Sequence, residues 1–510
     1  MDTGPTHAVR SAGILMHITS LPGPFGIGDI GPAALEFARK LQRSGQRYWQ
    51  LLPLTPPGAG LTSPYSAMSA MAGNPMLISP ELLVEDGLLS QADLREVTLP
   101  STARVDFDKA RDIKIKLLEL AYHNYCNRSE KLFRKEYQAF CEQHAYWLDD
   151  FTSFKALSLW HKHEPWIKWR KQYRDREQPI PRSINAIKEK QQWCQFIFNR
   201  QWMVLKAHCN QLGIQLFGDL PFYVAYDAAD VWANRDIFRL DEKGRMLGVA
   251  GVPPDYFNEN GQLWNMPVYN WKALRLQRYK WWINRLRRNL EWYDLLRLDH
   301  FRAFSAYWEV PAGADTAKNG TWKPGPAASL MKAVQKAFPA MPFVAEDLGQ
   351  IDEPVLQLRD QFRLPGMKVL QFAFGEDMPV STHIPHNYTD NFVVYTGTHD
   401  NNTTRGWYSH DSSPEDHERL AKYTGLKVVE EASPDVLGRM AFASVARTAI
   451  LPMQDVLRLD ASARMNIPAV AAGNWAWRML PDQFSEGCIS RLKKWTIIYN
   501  RTDKDDNKKL

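Results

Sequence analysis

Short apolar runs recur along the chain, separated by longer stretches whose apolar residues fall three and four apart. The runs are Ile14-Leu-Met-His-Ile18, Trp49-Gln-Leu-Leu-Pro-Leu54, Leu216-Phe-Gly-Asp-Leu-Pro-Phe-Tyr-Val224, Leu295-Leu-Arg-Leu-Asp299, Phe343-Val-Ala-Glu346, Met367-Lys-Val-Leu-Gln-Phe-Ala-Phe374 and Phe392-Val-Val-Tyr395, with a weaker eighth at Val456-Leu-Arg-Leu459. Continuous rather than alternating apolar residues suit parallel strands covered on both faces. Pro32 to Arg43 reads as an amphipathic helix, with Gly45 just past its end. Eight such units predict an α/β protein built on a closed (β/α)8 TIM barrel.

Two segments interrupt the alternation. The gap from about Thr55 to Gly213 is too long for one loop and is rich in Leu, Lys, Glu and Trp. The expected organisation is a catalytic barrel from 1–57 and 200–510, with a mainly helical insertion at 58–199 after strand two. A loop and helical insertion at 225–290 follows strand three, near the active site. Too few residues follow the last run for a C-terminal β-sandwich, and the polar end from Arg501 to Leu510 is expected to fray.

Composition narrows the class. The chain is 45% hydrophobic and 24% charged, an ordinary soluble profile. A net charge of +6, from 63 basic and 57 acidic residues, is no nucleic-acid footprint. The local cluster Arg285, Arg287 and Arg288 reads as a solvated helix face. No run of 18 apolar residues marks a membrane span. The five cysteines, Cys126, Cys141, Cys194, Cys209 and Cys488, form no CxxC pair, and the start MDTGPTHAVR has no apolar signal core. Free thiols in a reducing cytoplasm are expected. The 19 Trp can line a core or stack on sugar rings, and the count does not choose.

Two motifs mislead. Gly26-Ile-Gly28-Asp-Ile-Gly31 matches G-x-G-x-x-G, but it lies beyond a tight strand–helix turn, and no acidic residue ends strand two to hold a ribose. A Gly-rich loop with Pro32 opening a helix is the plainer reading, and a pocket-lining loop a third. His161-Lys-His163 lacks a third ligand at useful spacing and reads as an exposed loop. No metal and no cofactor are expected.

The informative residues are carboxylates where apolar runs stop: Asp299, Glu346 and Asp400, with Asp219 in the third run. In a barrel these strand ends converge on one face. Glycosidic cleavage needs one carboxyl as proton donor and another as nucleophile or base, and a third nearby raises the donor's pKa. Arg297, two residues before Asp299, points to the same side of the strand and would stabilise its negative charge. His300 and His399 adjoin two of the carboxylates and suit sugar hydroxyls. Each acid alone could be a helix cap or turn residue; three together, flanked by Arg and His, fit caps poorly.

At these residues the chain resembles the amylomaltases, 4-α-glucanotransferases of the α-amylase superfamily. The resemblance runs through Ser20-Leu-Pro-Gly-Pro-Phe-Gly-Ile-Gly-Asp29, Ser63-Pro-Tyr65, Gly218-Asp-Leu-Pro-Phe-Tyr-Val224, Arg297-Leu-Asp-His-Phe-Arg302, Ala345-Glu-Asp-Leu-Gly349, Thr396-Gly-Thr-His-Asp-Asn401, Arg464-Met-Asn-Ile-Pro468 and Gly473-Asn-Trp-Ala-Trp477. It implies retaining transfer of α-1,4-glucan segments between maltooligosaccharides, amylose or glucose. Asp299 matches the nucleophile, Glu346 the acid/base and Asp400 the transition-state stabiliser. Arg297, His399 and Asp219 match donor-site contacts, Tyr65 and Trp264 aromatics along the glucan path, and Asn466 a further sugar contact; Ser63, Gln262 and His300 complete the expected substrate contacts. Ala303 stands where the family usually has Gly, and Trp264-Asn-Met-Pro-Val-Tyr269 departs from the usual loop, which bears on acceptor preference. Tyr256, Phe257 and Trp264 are expected to cover the intermediate. An α-1,4-glucan hydrolase and a non-catalytic glycan-binding protein are the alternatives.

Overall fold

A computed structural model of the chain describes residues 9–128, 131–254, 259–470 and 472–502. Its strands in chain order are β1 (Ser11–Leu15), β2 (Tyr48–Gln50), β3 (Gln215–Leu220), β4 (Gly248–Val252), β5 (Gln262–Pro267), β6 (Leu295–Leu298), β7 (Ala306–Pro311), β8 (Thr321–Pro324), β9 (Phe343–Ala345), β10 (Gly366–Val369), β11 (Phe392–Tyr395) and β12 (Thr448–Pro452). Eight pair in parallel in the order β10-β11-β12-β1-β2-β3-β6-β9. Between β9 and β10 the barrel is joined by a backbone hydrogen bond from Ala345 N to Pro365 O at 2.8 Å. There, too, the carboxylate of Asp347 accepts from Met367 N at 2.7 Å, a side chain standing in for a ladder bond.

Seven of the eight apolar runs overlap a barrel strand. The eighth does not: Val456-Leu-Arg-Leu459 follows the short helix Met453–Val456, and the strand is Thr448–Pro452, buried along its length between β1 and β11. The residues after helix Ser433–Ala443, Ser444-Val-Ala-Arg-Thr-Ala-Ile-Leu-Pro452, mix helix-favouring Ala and Leu with strand-favouring Val, Thr and Ile, so local propensity does not choose. Pairing on both edges decides for a strand. The sixth run also stops early: β10 ends at Val369 and a 3-10 turn covers Leu370–Phe372.

Helix Pro32–Arg43 forms where the pattern places it, burying Ala34, Phe37, Ala38 and Leu41 at helical spacing. The Gly-rich motif before it is structural. A Cβ on Gly28 would lie 2.1 Å from Ile18 O, so only glycine lets the loop fold back on that turn. Asp29 then accepts from Gly31 N at 3.0 Å and pairs with buried Lys114 at 2.5 Å. This ties the barrel to helix Phe107–Arg128 of the insertion.

Between β2 and β3 lie the long helices Phe107–Arg128, Lys131–Trp160 and Asn185–Gln211. The last crosses the boundary expected at 199 and leads directly to β3, so no linker separates insertion from barrel there. Trp166 and Trp169 are buried in this region, while Trp160 is partly exposed. His161 stacks on Trp169 and its Nδ1 bonds Leu157 O, while Lys162 and His163 are exposed. The segment 225–290, expected as loop and helix, also carries β4 and β5. With β7 and β8, from the connection after β6, these form a small antiparallel sheet ordered β5-β4-β7-β8. The 501–510 tail lies, from 503 on, outside the described residues.

The arginine cluster is not a solvated face. Arg287 is exposed, but helix Lys280–Trp292 turns Arg285 and Arg288 inward. Arg285 sits over the rings of Trp281 and Trp282 and donates to Phe222 O and Pro221 O at 3.0 and 2.6 Å. Arg288 donates to Met71 O, Asn199 and Glu291. A guanidinium is weakly hydrated and offers five donors, so ring faces and carbonyls can bury it where they would not bury a lysine.

Candidate active site

The ends of β3, β6, β9 and β11 bring the expected acids to one mouth of the barrel. Asp219 and Arg297 are register partners on β3 and β6. Both side chains are buried, and Arg297 Nη1 donates to Asp219 Oδ1 at 2.8 Å. The same nitrogen donates to Asp299 Oδ1 at 2.7 Å, while Nη2 lies 3.9 Å from Glu346 Oε2. One guanidinium therefore faces three carboxylates. Burial opposes its charge, but Asp219, Asp299 and Glu346 outweigh that and raise Arg297 well above its ordinary value.

Glu346 sits just past β9. Its Oε2 accepts from His300 N at 2.7 Å and its Oε1 from Leu348 N at 3.1 Å. His300 has a left-handed backbone (φ 49°), a strained conformation for this residue that goes with its N–H reaching Glu346. Burial pushes Glu346 up to about 8, and the charge of Asp299 adds to it against Arg297 and the two backbone N–H groups. That shift favours the acid form of Glu346 at neutral pH beside Asp299. Burial also raises Asp219, but Arg297 and Tyr65 both aim donors at its oxygens, an arrangement suited to the ion.

Tyr65 links two parts of the site. Its hydroxyl donates to Asp219 Oδ2 at 2.6 Å and lies 2.8 Å from His399 Nε2, on which its ring stacks at 5.1 Å. His399 is 3.5 Å from Asp400 Oδ2. Asp400 is the most exposed of the acids, and Asn466 Nδ2 donates to its Oδ1 at 2.6 Å. On β5, Trp264 Nε1 donates to Gln262 Oε1 at 3.1 Å, and its ring meets that of His300 edge-on at 4.9 Å. Burial lowers His300 to about 4, leaving it neutral. Ser63 Oγ accepts from Tyr65 N at 3.3 Å and so shapes the turn that presents Tyr65. Tyr256 and Phe257 lie outside the described residues.

The structure adds residues to which the motifs gave no role. Trp475 packs against both Tyr65 and His399 at 5.7 and 6.0 Å, and Arg464 Nη2 donates to Asp400 O at 2.9 Å. Both fall inside motifs visible in the sequence, but nothing local says that they face the acids. Tyr223 packs against Trp264 at 5.9 Å and stacks on Tyr269 at 6.1 Å. A protonated carboxyl, an ion-paired carboxylate and a cation between them can donate a proton, attack an electrophilic carbon and hold developing charge.

A family model described as 4-alpha-glucanotransferase matches residues 16–483. The chain belongs to the 4-alpha-glucanotransferase family. A 4-alpha-glucanotransferase of Synechocystis sp. is 44% identical over 502 residues, covering 96% of this chain and 98% of the relative. That of Thermus thermophilus is 44% identical over 494 residues, covering 95% and 97%. Among solved structures, amylomaltase from Streptococcus agalactiae in complex with acarbose superposes with a TM-score of 0.91 at 35% identity, covering 97% of this chain and all of that one. The chain is thus an enzyme of the 4-alpha-glucanotransferase type on an insertion-rich TIM barrel. Among the described residues no helix is long and apolar enough to cross a membrane.

Proposed function

We propose that the enzyme transfers α-1,4-glucan segments from a maltodextrin to the 4-hydroxyl of a second glucan or of glucose, with Asp299 as nucleophile and Glu346 as acid/base. The observation that carries this reading is the placing of Asp299 and Glu346 around one Arg297 guanidinium, where burial and the charge of Asp299 raise the pKa of Glu346 and favour its acid form. In the first step Glu346 gives its proton to the glycosidic oxygen, and Asp299 forms a bond to the anomeric carbon as the C–O bond breaks. The leaving chain departs with a new 4-hydroxyl. In the second step the acceptor's 4-hydroxyl loses its proton to Glu346, and its oxygen displaces Asp299. Two inversions restore the α linkage, and Glu346 is reprotonated for the next turnover. For this retaining path the carboxyl groups are expected about 5–5.5 Å apart.

Asp400 is assigned to stabilising the positive charge that develops on the sugar ring. Arg297, Asp219 and His399 are assigned to the donor side, Tyr65 and Trp264 to the glucan path, and Asn466, Ser63, Gln262 and His300 to further substrate contacts. Five free cysteines suit a reducing cytoplasm. Incubation with maltotriose tests the reading: glucose plus longer maltodextrins, with no net gain of reducing ends, marks transfer. A steady gain of reducing ends would favour hydrolysis. Asp299→Ala should abolish turnover, and full activity in that variant would overturn the nucleophile assignment.

A further inference from the structure

Asp219 is fixed by burial, strand pairing and the donors of Arg297 and Tyr65, and Glu346 by two backbone N–H groups. Asp400 has little of that support. It follows β11 by five residues in a turn, and its side chain is about half exposed, at 48%. An exposed carboxylate in a turn keeps its rotamer freedom unless neighbours remove it, yet charge stabilisation works only from groups oriented in advance.

Locally, Thr398 Oγ1 accepts from Asp400 N at 3.3 Å and His399 lies 3.5 Å from Asp400 Oδ2; the donors to Asp400 O and to its Oδ1 come from far along the chain. Arg464 Nη2 donates to Asp400 O at 2.9 Å, fixing the backbone of the turn. Its Nε donates to Asn466 O at 2.8 Å, and Asn466 Nδ2 in turn donates to Asp400 Oδ1 at 2.6 Å. The third arm, Nη1, lies 3.7 Å from Asp411 Oδ2. Asp411 ends the π-helical turn Trp407–Asp411 and is also held by Asn402 Nδ2 at 3.3 Å. A guanidinium has the planar fork to serve three acceptors at once; a lysine ammonium would not reach all three with the same geometry.

We propose that Arg464 is a positioning residue for the reaction, locking the Asp400 turn and aiming the Asn466 amide so that the Asp400 carboxylate is preset toward the sugar. This rests on the role given to Asp400 above. On this inference the amide of Asn466 serves Asp400 first and the sugar only secondarily.

The test uses full-length enzyme on maltotriose, with acarbose, a cationic mimic of the charged transition state, as inhibitor. Arg464→Ala should lower kcat on the order of 10- to 100-fold, as a misplacement of about 1 Å does. KM should stay within about threefold, since ground-state contacts elsewhere are kept. The inhibition constant for acarbose should rise in step with the loss of kcat, which a smaller fraction of folded enzyme would not cause. Arg464→Lys should fall between. In an Asn466→Ala background, Arg464→Ala should add less than about a threefold further loss, because both act through one carboxylate. If Arg464→Ala does not fold, Arg464→Lys and Asn466→Ala carry the same readouts. Arg464 variants within about twofold of the parent kcat, or losses that multiply independently with Asn466→Ala, would overturn the inference. Asp400→Ala separates the two failures. An inactive Asp400→Ala with normal Arg464 variants sinks the inference alone, whereas an active Asp400→Ala sinks the role of Asp400 itself.

Discussion

Nη1 of Arg297 donates to Asp219 at 2.8 Å and to Asp299 at 2.7 Å. A single nitrogen thus sets the position of the proposed nucleophile against a buried acid on the neighbouring strand. Arg297→Lys keeps the charge but loses the fork. It should lower kcat/KM on maltotriose by about 100-fold or more, the scale of losing one preorganised donor. A change under about threefold would mean that Asp299 is placed by other groups.

Removing the Tyr65 hydroxyl takes away the bridge between Asp219 and His399 while leaving the ring stacked on His399. Tyr65→Phe should therefore cost about tenfold in kcat/KM, near 1.4 kcal/mol. Tyr65→Ala should cost more, because the stacking and the contact with Trp475 go as well. Equal losses in the two variants would assign the whole effect to the hydroxyl.

The pH dependence has a definite sign. Burial, with Asp299 beside it, raises Glu346 to about 8, and bond cleavage needs its proton. The profile of kcat/KM, which reports the free enzyme, should hold through neutral pH and fall about tenfold per unit above a pKa near 8. In Asp299→Asn the like charge is gone, so the carboxyl of Glu346, followed by NMR, should titrate at lower pH. An alkaline limb already complete at pH 6 would show Glu346 ionised in the resting enzyme.

Trp264 packs edge-on against His300, next to Glu346. If this ring shields the intermediate from water, Trp264→Ala should raise the share of turnovers ending in hydrolysis severalfold, read as reducing ends gained per glucose released. An unchanged ratio would move water exclusion to another part of the cleft.

The Asp29–Lys114 pair predicts stability rather than rate. Both side chains are buried, and burial raises Asp29 and lowers Lys114 against their mutual attraction. Lys114→Met strands a buried carboxylate and should cost about 3–5 kcal/mol; Asp29→Leu combined with Lys114→Met should recover most of it. Denaturant midpoints of the two variants check this, and equal midpoints would count against a coupled pair.

How much was legible follows from how local each signal is. Strand runs such as Leu295–Leu298 and Phe392–Tyr395 announce themselves because a strand covered on both faces is apolar throughout. The acids are legible because they break those runs at the same end, and motif order along the chain specifies the family. Thr448–Pro452 was hidden because its residues suit a helix as well as a strand, and only the edges of β1 and β11 decide between them. Arg285 and Arg288 carry the same charge as Arg287, but only the packed helix shows which arginines find carbonyls and ring faces.

The sequence by itself determined the barrel, the presence of acids at its strand ends and the class of reaction, since these depend on periodicity, on residue types at strand ends and on motif order. Tertiary structure decided what each acid is. The pKa of Glu346 is raised because burial and the charge of Asp299 outweigh Arg297 and two backbone donors. Asp400 is oriented by Arg464 and Asn466, more than sixty residues away in the chain. Proton affinity and orientation depend on distances between groups remote in sequence, and those distances exist only once the chain has closed on itself.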